Sequence, residues 1–221
     1  MILQGQVGAQ QVADGAQTNL RQGKTGESMV SELHGRFYEQ AYRANLFGNG
    51  TVALQALTAN TITLTATTTP ILGVWNPLSS TVNLVILQAT LASGINNAAS
   101  TGPGDFVWAA SVGNGAISTG TAPVNHKTLT SVGSQAKGLS FIALTGLTNN
   151  LVVLESSDFP SPTIITTAAV STAIQTPTVA VTQNIDGSFI VPPGGVLALL
   201  NTVSTTTISV TGRLLWEEVP V

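Results

Sequence analysis

A long stretch without charged side chains constrains this chain more than any other feature of its sequence. No Asp, Glu, Lys or Arg occurs from residue 44 to residue 104. Within it, the apolar runs 70–75 and 81–92 flank the polar segment 76–80, a pattern that predicts a hairpin of two buried strands. Residues 84–87 (LVIL) form an unbroken apolar run, which is typical of a strand covered on both faces. Such a stretch belongs in a core or against another protein.

The rest of the chain also reads as β-structure. Thr61, Thr63, Thr65 and Thr67 alternate with apolar residues, and residues 206–219 place Ile208, Val210, Leu214 and Trp216 on one face. Turn signals predict further hairpins across residues 146–149 and at Asp186-Gly187. About ten strands follow one another without helical crossovers. The sequence therefore predicts an all-β fold, a jelly-roll-like β-sandwich of about 8–10 strands with an extended N-terminal arm.

The chain divides in sequence into an arm and anchoring segment, residues 1–47, and a β-sandwich body, residues 48–221. Residues 1–27 are rich in Gln, Gly and Ala, so they are either a disordered tail or an arm that is ordered along a neighbouring subunit. Residues 28–47 carry charges and both tyrosines, and their pattern fits either a helix or a strand. Gly35 and the β-rich surroundings favour the strand.

Composition limits the class of protein. Charged residues make up 8% of the chain, against about 25% in ordinary soluble domains. The net charge of −3 argues against nucleic-acid binding. No apolar run reaches the ~20 residues of a membrane span, and we expect no signal peptide because the N-terminus lacks a basic and an apolar region. A polar but charge-poor surface is instead suited to packing within an oligomer or shell.

No combination of residues predicts catalysis, a cofactor or a metal site. His34 and His126 lack a second ligand at metal spacing, and the Ser134-to-Lys137 S-x-x-K pattern lies in a β context rather than at a helix start. We therefore expect no enzyme. The remaining candidates have structural explanations. Loop solvation accounts for Asp105, Glu155 and Asp158, and Glu217-Glu218 lacks the Asp-x-Asp loop of a calcium site. The Asn49 sequon matters only in a secretory context, and core packing accounts for Trp75, Trp108 and Trp216.

Four passages resemble structural proteins of tailed-bacteriophage virions, and most of all jelly-roll capsid decoration (cement) proteins. They are ELHGRFYE (32–39), GVWNP (73–77), NLVILQ (83–88) and VPPGG (191–195). The resemblance spans most of the chain and contains no mechanistic motif. It implies a homotrimer on the capsid exterior, made in the host cytoplasm, whose arm grips the major capsid protein or neighbouring virion subunits.

Residue types point to the anchoring segment as the interface. Arginine and aromatic side chains are enriched at interface hot spots, and the segment supplies Arg36, Phe37, Tyr38, Tyr42 and Arg43. The alternative prediction is a carbohydrate-binding β-sandwich of a head fibre, tail fibre or adhesin. Its ligand would bind the loops 93–104 or 113–124, where Phe106 and Trp108 are the nearest aromatic residues.

Overall fold

Strands dominate the structure, a computed structural model that describes residues 5–6, 20–21, 36–51, 55–57, 64, 68–95, 104–117, 120–160, 179–204 and 208–221. The chain separates into two compact units, Met1–Glu39 and Gln40–Val221. In the smaller unit, β1 (Gly5–Gln6) pairs in parallel with β2 (Leu20–Arg21). The short helix α1 (Tyr38–Tyr42) crosses the boundary between the units.

The larger unit contains two antiparallel sheets. The larger sheet has the order β11-β6-β14-β3-β8, with β12 beside β6 and β4 beside β14, and the smaller sheet has the order β10-β7-β13-β5-β9. The strands are β3 (Leu46–Gly50), β4 (Gln55–Ala56), β5 (Leu72–Trp75), β6 (Val82–Ile95), β7 (Phe106–Ser111), β8 (Val124–Asn125), β9 (Lys137–Gly138), β10 (Val152–Ser156), β11 (Val179–Asn184), β12 (Ile190–Val191), β13 (Val196–Asn201) and β14 (Ile208–Pro220).

The strand order is that of a jelly roll. Along the chain, β3, β6, β11 and β14 fall in the larger sheet, and β5, β7, β10 and β13 fall in the smaller sheet. The two sheets thus read β3-β14-β6-β11 and β5-β13-β7-β10, the paired four-stranded arrangement of two Greek keys. The predicted all-β, jelly-roll-like sandwich is confirmed.

The main core lies between the sheets and follows the two-residue period of the strands. Trp108 of the smaller sheet and Trp216 of the larger sheet are both fully buried there. The inward positions of β14 are the predicted ones. They are Ile208, Val210, Leu214 and Trp216.

A second core covers the outer face of the smaller sheet. The outward side chains of its central strands include Trp75, Val107, Val196 and Leu200. Four side chains from the long connection between β7 and β10 pack on them, and we call these four the cover: Ile117, Leu139, Leu144 and Leu151. The central strands β7, β13 and β5 of the smaller sheet are therefore buried on both faces.

The predicted hairpin of residues 70–75 and 81–92 is wrong, because β5 and β6 lie in opposite sheets. The segment 76–80 is instead a corner that carries the chain from one sheet to the other. Asn76 holds this corner from a fully buried position. Its Nδ2 donates to the carbonyl oxygens of Val82, at 2.7 Å, and Val191, at 3.0 Å.

The burial predicted for both faces of residues 84–87 is met only in part, since Leu84, Ile86 and Leu87 are buried but Val85 is half-buried. A β-bulge explains the unbroken apolar run. Gln88 pairs with Leu215 but Ile86 pairs with Trp216, so Leu87 is an extra residue. Because of this extra residue, the side chains that point into the core are Leu84 and Ile86 before the bulge and Ala89 and Leu91 after it. The outward side chains Val85, Gln88 and Thr90 are half-buried.

The other local predictions had mixed outcomes. No hairpin forms across residues 146–149, since β9 pairs with β5 and β10 pairs with β7. Asp186 and Gly187 form the predicted turn, with φ of 53° and 82°, but β11 and β12 both pair with β6 rather than with each other.

The segment 28–47 is not the favoured strand in its described part, where α1 precedes β3. Helix α1 follows Gly35 instead of containing it, so the glycine does not weaken it. Leu46 and Phe47, which we assigned to the arm, lie in β3 of the larger unit. Most of the alternating segment 61–67 and nearly all of the arm 1–27 lie outside the described residues.

Candidate interaction surface

One side of the sandwich is formed by β10 of the smaller sheet and by β11 and β12 of the larger sheet. The Trp108 indole Nε1 donates to Gln183 Oε1 across the sheets, at 3.0 Å in a buried position. The Trp108 ring also lies 5.8 Å from the Phe189 ring, with the planes tilted by 57°. Trp108 lies in β7, the ladder partner of β10. Its contacts therefore place β7 and the neighbouring β10 on the same side of the sandwich as β11 and β12.

Strand β10 is exposed along its whole length. All five of its side chains are exposed, among them Val152 at 65%, Val153 at 42% and Leu154 at 49%. Within the described part of the chain, its ladder partner is β7 alone. An aliphatic strand at a sheet edge is a template for pairing with another chain unless something covers it.

A cavity of about 400 Å³ opens beside this strand. Its described lining is mostly aliphatic, and Val112 and Ile190 on its rim are 57% and 58% exposed. The lining residues come from the ends of β7 and β10 and from the connection into β13: Ala110, Ser111, Val112, Leu154, Glu155, Ser188, Phe189, Ile190, Val191, Pro192, Gly195, Val196 and Leu197.

The polar groups of the cavity are few, and two are engaged in the fold. Ser111 Oγ accepts a hydrogen bond from Asn114 Nδ2 at 2.7 Å, and Ser188 Oγ donates to the Ile185 carbonyl at 2.8 Å. Glu155 is the charged residue among the described lining. The cavity therefore suits an apolar group that ends in a positive charge.

The same side of the sandwich is negatively charged. Ser156 Oγ donates to Asp105 Oδ2 at 2.6 Å, which places Asp105 at the end of β10. Glu155 lies on β10, and Asp186 lies in the turn between β11 and β12. We call this side, including Asp158, the acidic edge. Its described residues include no lysine or arginine.

The opposite side is formed by β3, β8 and β9. Asn49 links the sheets there, since its Nδ2 donates to Ser140 Oγ and its Oδ1 accepts from Thr121 Oγ1, both at 3.0 Å. The exposed residues Lys127 and Lys137 lie on this side. Arg43 is also there. The residue after it, Ala44, accepts a hydrogen bond at its carbonyl from Nδ2 of Asn125 in β8, at 2.7 Å. We call this side, with His126, the basic edge.

His126 lies against a glycine of β3. A Cβ built on Gly48 would lie 2.9 Å from the His126 Nε2, so a side chain there would displace the imidazole. Burial, and secondarily the nearby Arg213 guanidinium, lower the pKa of His126 below its ordinary value of 6.5. Both causes favour the neutral ring.

The predicted interface residues are divided between the two units. Tyr42, 54% exposed, lies on the basic edge with its ring 4.9 Å from Lys127 Nζ, and Arg43 is exposed beside it. Arg36, whose guanidinium lies 5.3 Å from the Phe37 ring, and Tyr38, 43% exposed, belong to the smaller unit. Their role in an interface stays a prediction.

The chemical candidates take structural positions. Ser134 Oγ donates to the buried Glu218 carboxylate at 2.5 Å, and the Gln135 amide donates to its other oxygen at 3.2 Å. Ser134 thus holds a loop onto β14 through Glu218. His34 lies outside the described residues, and across those that are described no three His, Asp or Glu residues form a metal-binding group.

The three tryptophans lie in the core, as predicted. Trp108 and Trp216 are fully buried, and Trp75 is 9% exposed. Phe106 is also fully buried. Because a sugar stacks only on an accessible ring, neither Phe106 nor Trp108 is available to a glycan at the adjacent loops. Asn49 of the sequon is buried as well.

Sequence reasoning missed the cavity and the acidic edge. The run Val152-Val153-Leu154 was the available signal, but it reads equally well as a core strand. The rest of the lining comes from segments far apart in the chain. Among the described residues, no helix has the length and apolar character needed to span a membrane. Compared with protein-family models, curated proteins and solved structures, the chain matches none of them.

Proposed function

We propose that this protein is a non-enzymatic structural subunit of a phage virion, a capsid decoration protein that associates with copies of itself and with neighbouring subunits. The observation that supports this most is β10, whose five exposed residues include three aliphatic side chains beside an apolar cavity. A surface of this kind is costly in a free monomer and useful in an assembly.

The energies favour many weak contacts over one strong contact. Full burial of an aliphatic side chain contributes about 1.5–3 kcal/mol, and Val152, Val153 and Leu154 are already about half-covered. Completing their burial therefore contributes about 3 kcal/mol in total. Association costs at least about 4 kcal/mol, so this strand alone does not hold a complex together. Repeated contacts in an ordered particle overcome that cost by avidity.

The charge-poor composition supports the same proposal. A subunit that is covered by neighbours does not need charged groups on every face, and the outer face of the smaller sheet is already covered by its own chain. The jelly-roll topology is shared by viral capsid domains, lectins and cupins, so this part of the support is an analogy of fold. We propose a trimer as the free form and the capsid exterior as the location.

The first test measures self-association. Analytical ultracentrifugation of the full-length protein at micromolar concentration should show a trimer. Leu154→Lys should weaken the trimer because it places a charge in the apolar contact. Thr145→Lys is the control, since Thr145 is exposed in the loop over the outer face of the smaller sheet, outside both edges of the sandwich. A wild-type monomer, or equal effects of the two variants, would refute the assembly proposal.

The second test addresses the virion. An antibody against the purified protein should label the outside of intact phage particles in electron micrographs. Labelling that is confined to the soluble fraction of lysed host cells would overturn the virion location while leaving self-association in place.

A further inference from the structure

We infer that the acidic edge of one copy binds the basic edge of the next copy, so that the subunits join head to tail in a ring. The inference rests on the proposed function, because it requires that the protein associates with itself. It adds which two surfaces meet and which side chains make the contact.

The charges of the two edges are complementary. The acidic edge carries four carboxylates, Asp105, Glu155, Asp158 and Asp186, and its described residues contribute no lysine or arginine. The basic edge carries Arg43, Lys127 and Lys137, with His126 beside them and Arg213 on the adjacent β14. Within the described part of the larger unit, opposing charge near the basic edge comes from β14. Glu218 is buried there and bonded to Ser134 and Gln135, and Glu217 is half-buried.

The position of the edges determines the symmetry. They lie on opposite sides of the sandwich, since β10 and β11 end one side of the two sheets and β9 and β8 end the other. A two-fold dimer through either edge would bring like charges together. A contact between unlike edges is heterologous, and repeating it produces a closed ring when the rotation permits. A trimer is the ring of three.

The cavity offers a place for one lysine. Its aliphatic walls match the methylene stem of a lysine, and the Glu155 carboxylate matches the ammonium. On the basic edge, the Lys127 ammonium is already held over the Tyr42 ring. Lys137 is exposed on β9, and we assign it to the cavity of the neighbouring copy.

Complementary charge reversal tests this arrangement. One variant, Glu155→Lys with Asp158→Lys, reverses two of the four charges of the acidic edge, among them the carboxylate in the cavity. The other variant, Lys127→Glu with Lys137→Glu, reverses the two lysines of the basic edge. All four residues are exposed, so both variants should fold, as checked by circular dichroism. The control, Ser79→Lys with Thr145→Lys, adds charge at exposed positions in the corner and in the loop over the smaller sheet.

Native mass spectrometry should give a characteristic pattern. Each edge variant alone should associate at least about tenfold more weakly than wild type, and the control should remain a trimer. An equimolar mixture of the two edge variants should associate again, in complexes with equal numbers of each. Each variant then binds only the other variant, so the two must alternate around a ring. A ring of three, which has an odd number of subunits, therefore cannot close.

The outcomes separate the inference from the proposed function. If wild type forms a trimer and the edge variants do so equally well, the head-to-tail contact is refuted and the structural role stands. If each variant loses association but the mixture does not recover it, the two edges do not bind each other. If wild type itself stays monomeric in low salt, the assembly proposal fails.

Discussion

The buried hydrogen bond between Trp108 and Gln183 allows a quantitative test of what closes the sandwich at the acidic edge. Replacing Trp108 with Phe removes the indole donor, leaves the Gln183 Oε1 without its 3.0 Å partner, and reduces the packed volume. The lost packing costs about 1–2 kcal/mol, and the unsatisfied buried oxygen adds about 1–3 kcal/mol. We expect a loss of about 2–5 kcal/mol in the free energy of unfolding.

Trp216 provides the matched control. It is as fully buried as Trp108, but its Nε1 has no hydrogen-bond partner among the described residues. Trp216→Phe should therefore cost only the packing, about 1–2 kcal/mol. Gln183→Met in the Trp108→Phe background removes the unsatisfied oxygen and should recover part of the loss.

The assay is urea unfolding followed by far-ultraviolet circular dichroism, since fluorescence would change with the tryptophan count. A double-mutant cycle compares wild type, Trp108→Phe, Gln183→Met and the double variant. It should give a coupling energy of about 1–3 kcal/mol between residues 108 and 183. A coupling below about 0.3 kcal/mol, within the error of independent sites, would refute the reasoning. So would equal losses from Trp108→Phe and Trp216→Phe.

Three further predictions concern the corner, the cover and the histidine. Asn76→Ala should lower the free energy of unfolding by about 2–3 kcal/mol, because it removes the hydrogen bonds from Asn76 to the Val82 and Val191 carbonyls. Asn149→Ala removes an exposed hydrogen bond from Asn149 Nδ2 to the Val112 carbonyl and should cost under about 1 kcal/mol in the same urea titration. Leu144→Ala should cost about 2–5 kcal/mol for the cavity it leaves, and a loss under 1 kcal/mol would contradict a packed second core. The His126 pKa, followed by NMR, should lie below 6.5 in the folded state. Because the unfolded chain then binds more protons, the contribution of His126 to stability is present above pH 6.5 and is lost as the pH falls below it. Arg213→Gln should raise this pKa only in part, since burial is the larger cause, and a wild-type pKa at or above 6.5 would contradict the buried position.

Local pattern predicted the strands better than their partners. The alternation of Ile208, Val210, Leu214 and Trp216 specified the inward face of β14 because each residue depends only on the two-residue period. The segment 76–80 shows that the chain turns, but its residues do not specify whether the next strand returns to the same sheet. That choice depends on β13 and β14, more than a hundred residues later in the chain.

The interaction surface was less predictable for the same reason. Glu155, Asp186 and Asp105 are far apart in sequence, and the jelly-roll topology alone brings them to one side. Leu87 is a further example, because an apolar residue in an apolar run gives no sign that it is a bulge. Tyr42 was predicted from its residue type, and its position on the basic edge follows from the fold.

The two sheets should differ in how freely their sequences can vary. In the larger sheet, the outward residues Thr90 and Thr182 face each other across the strands, with their Oγ1 atoms 3.1 Å apart. Substitutions there should be tolerated at every second residue. In β7 and β13, alternate side chains point to opposite faces of the sheet, and each face packs into a core. These two strands therefore lack such tolerant positions. Sequence drift over time should therefore accumulate on the outward face of the larger sheet and hardly at all in β7 and β13.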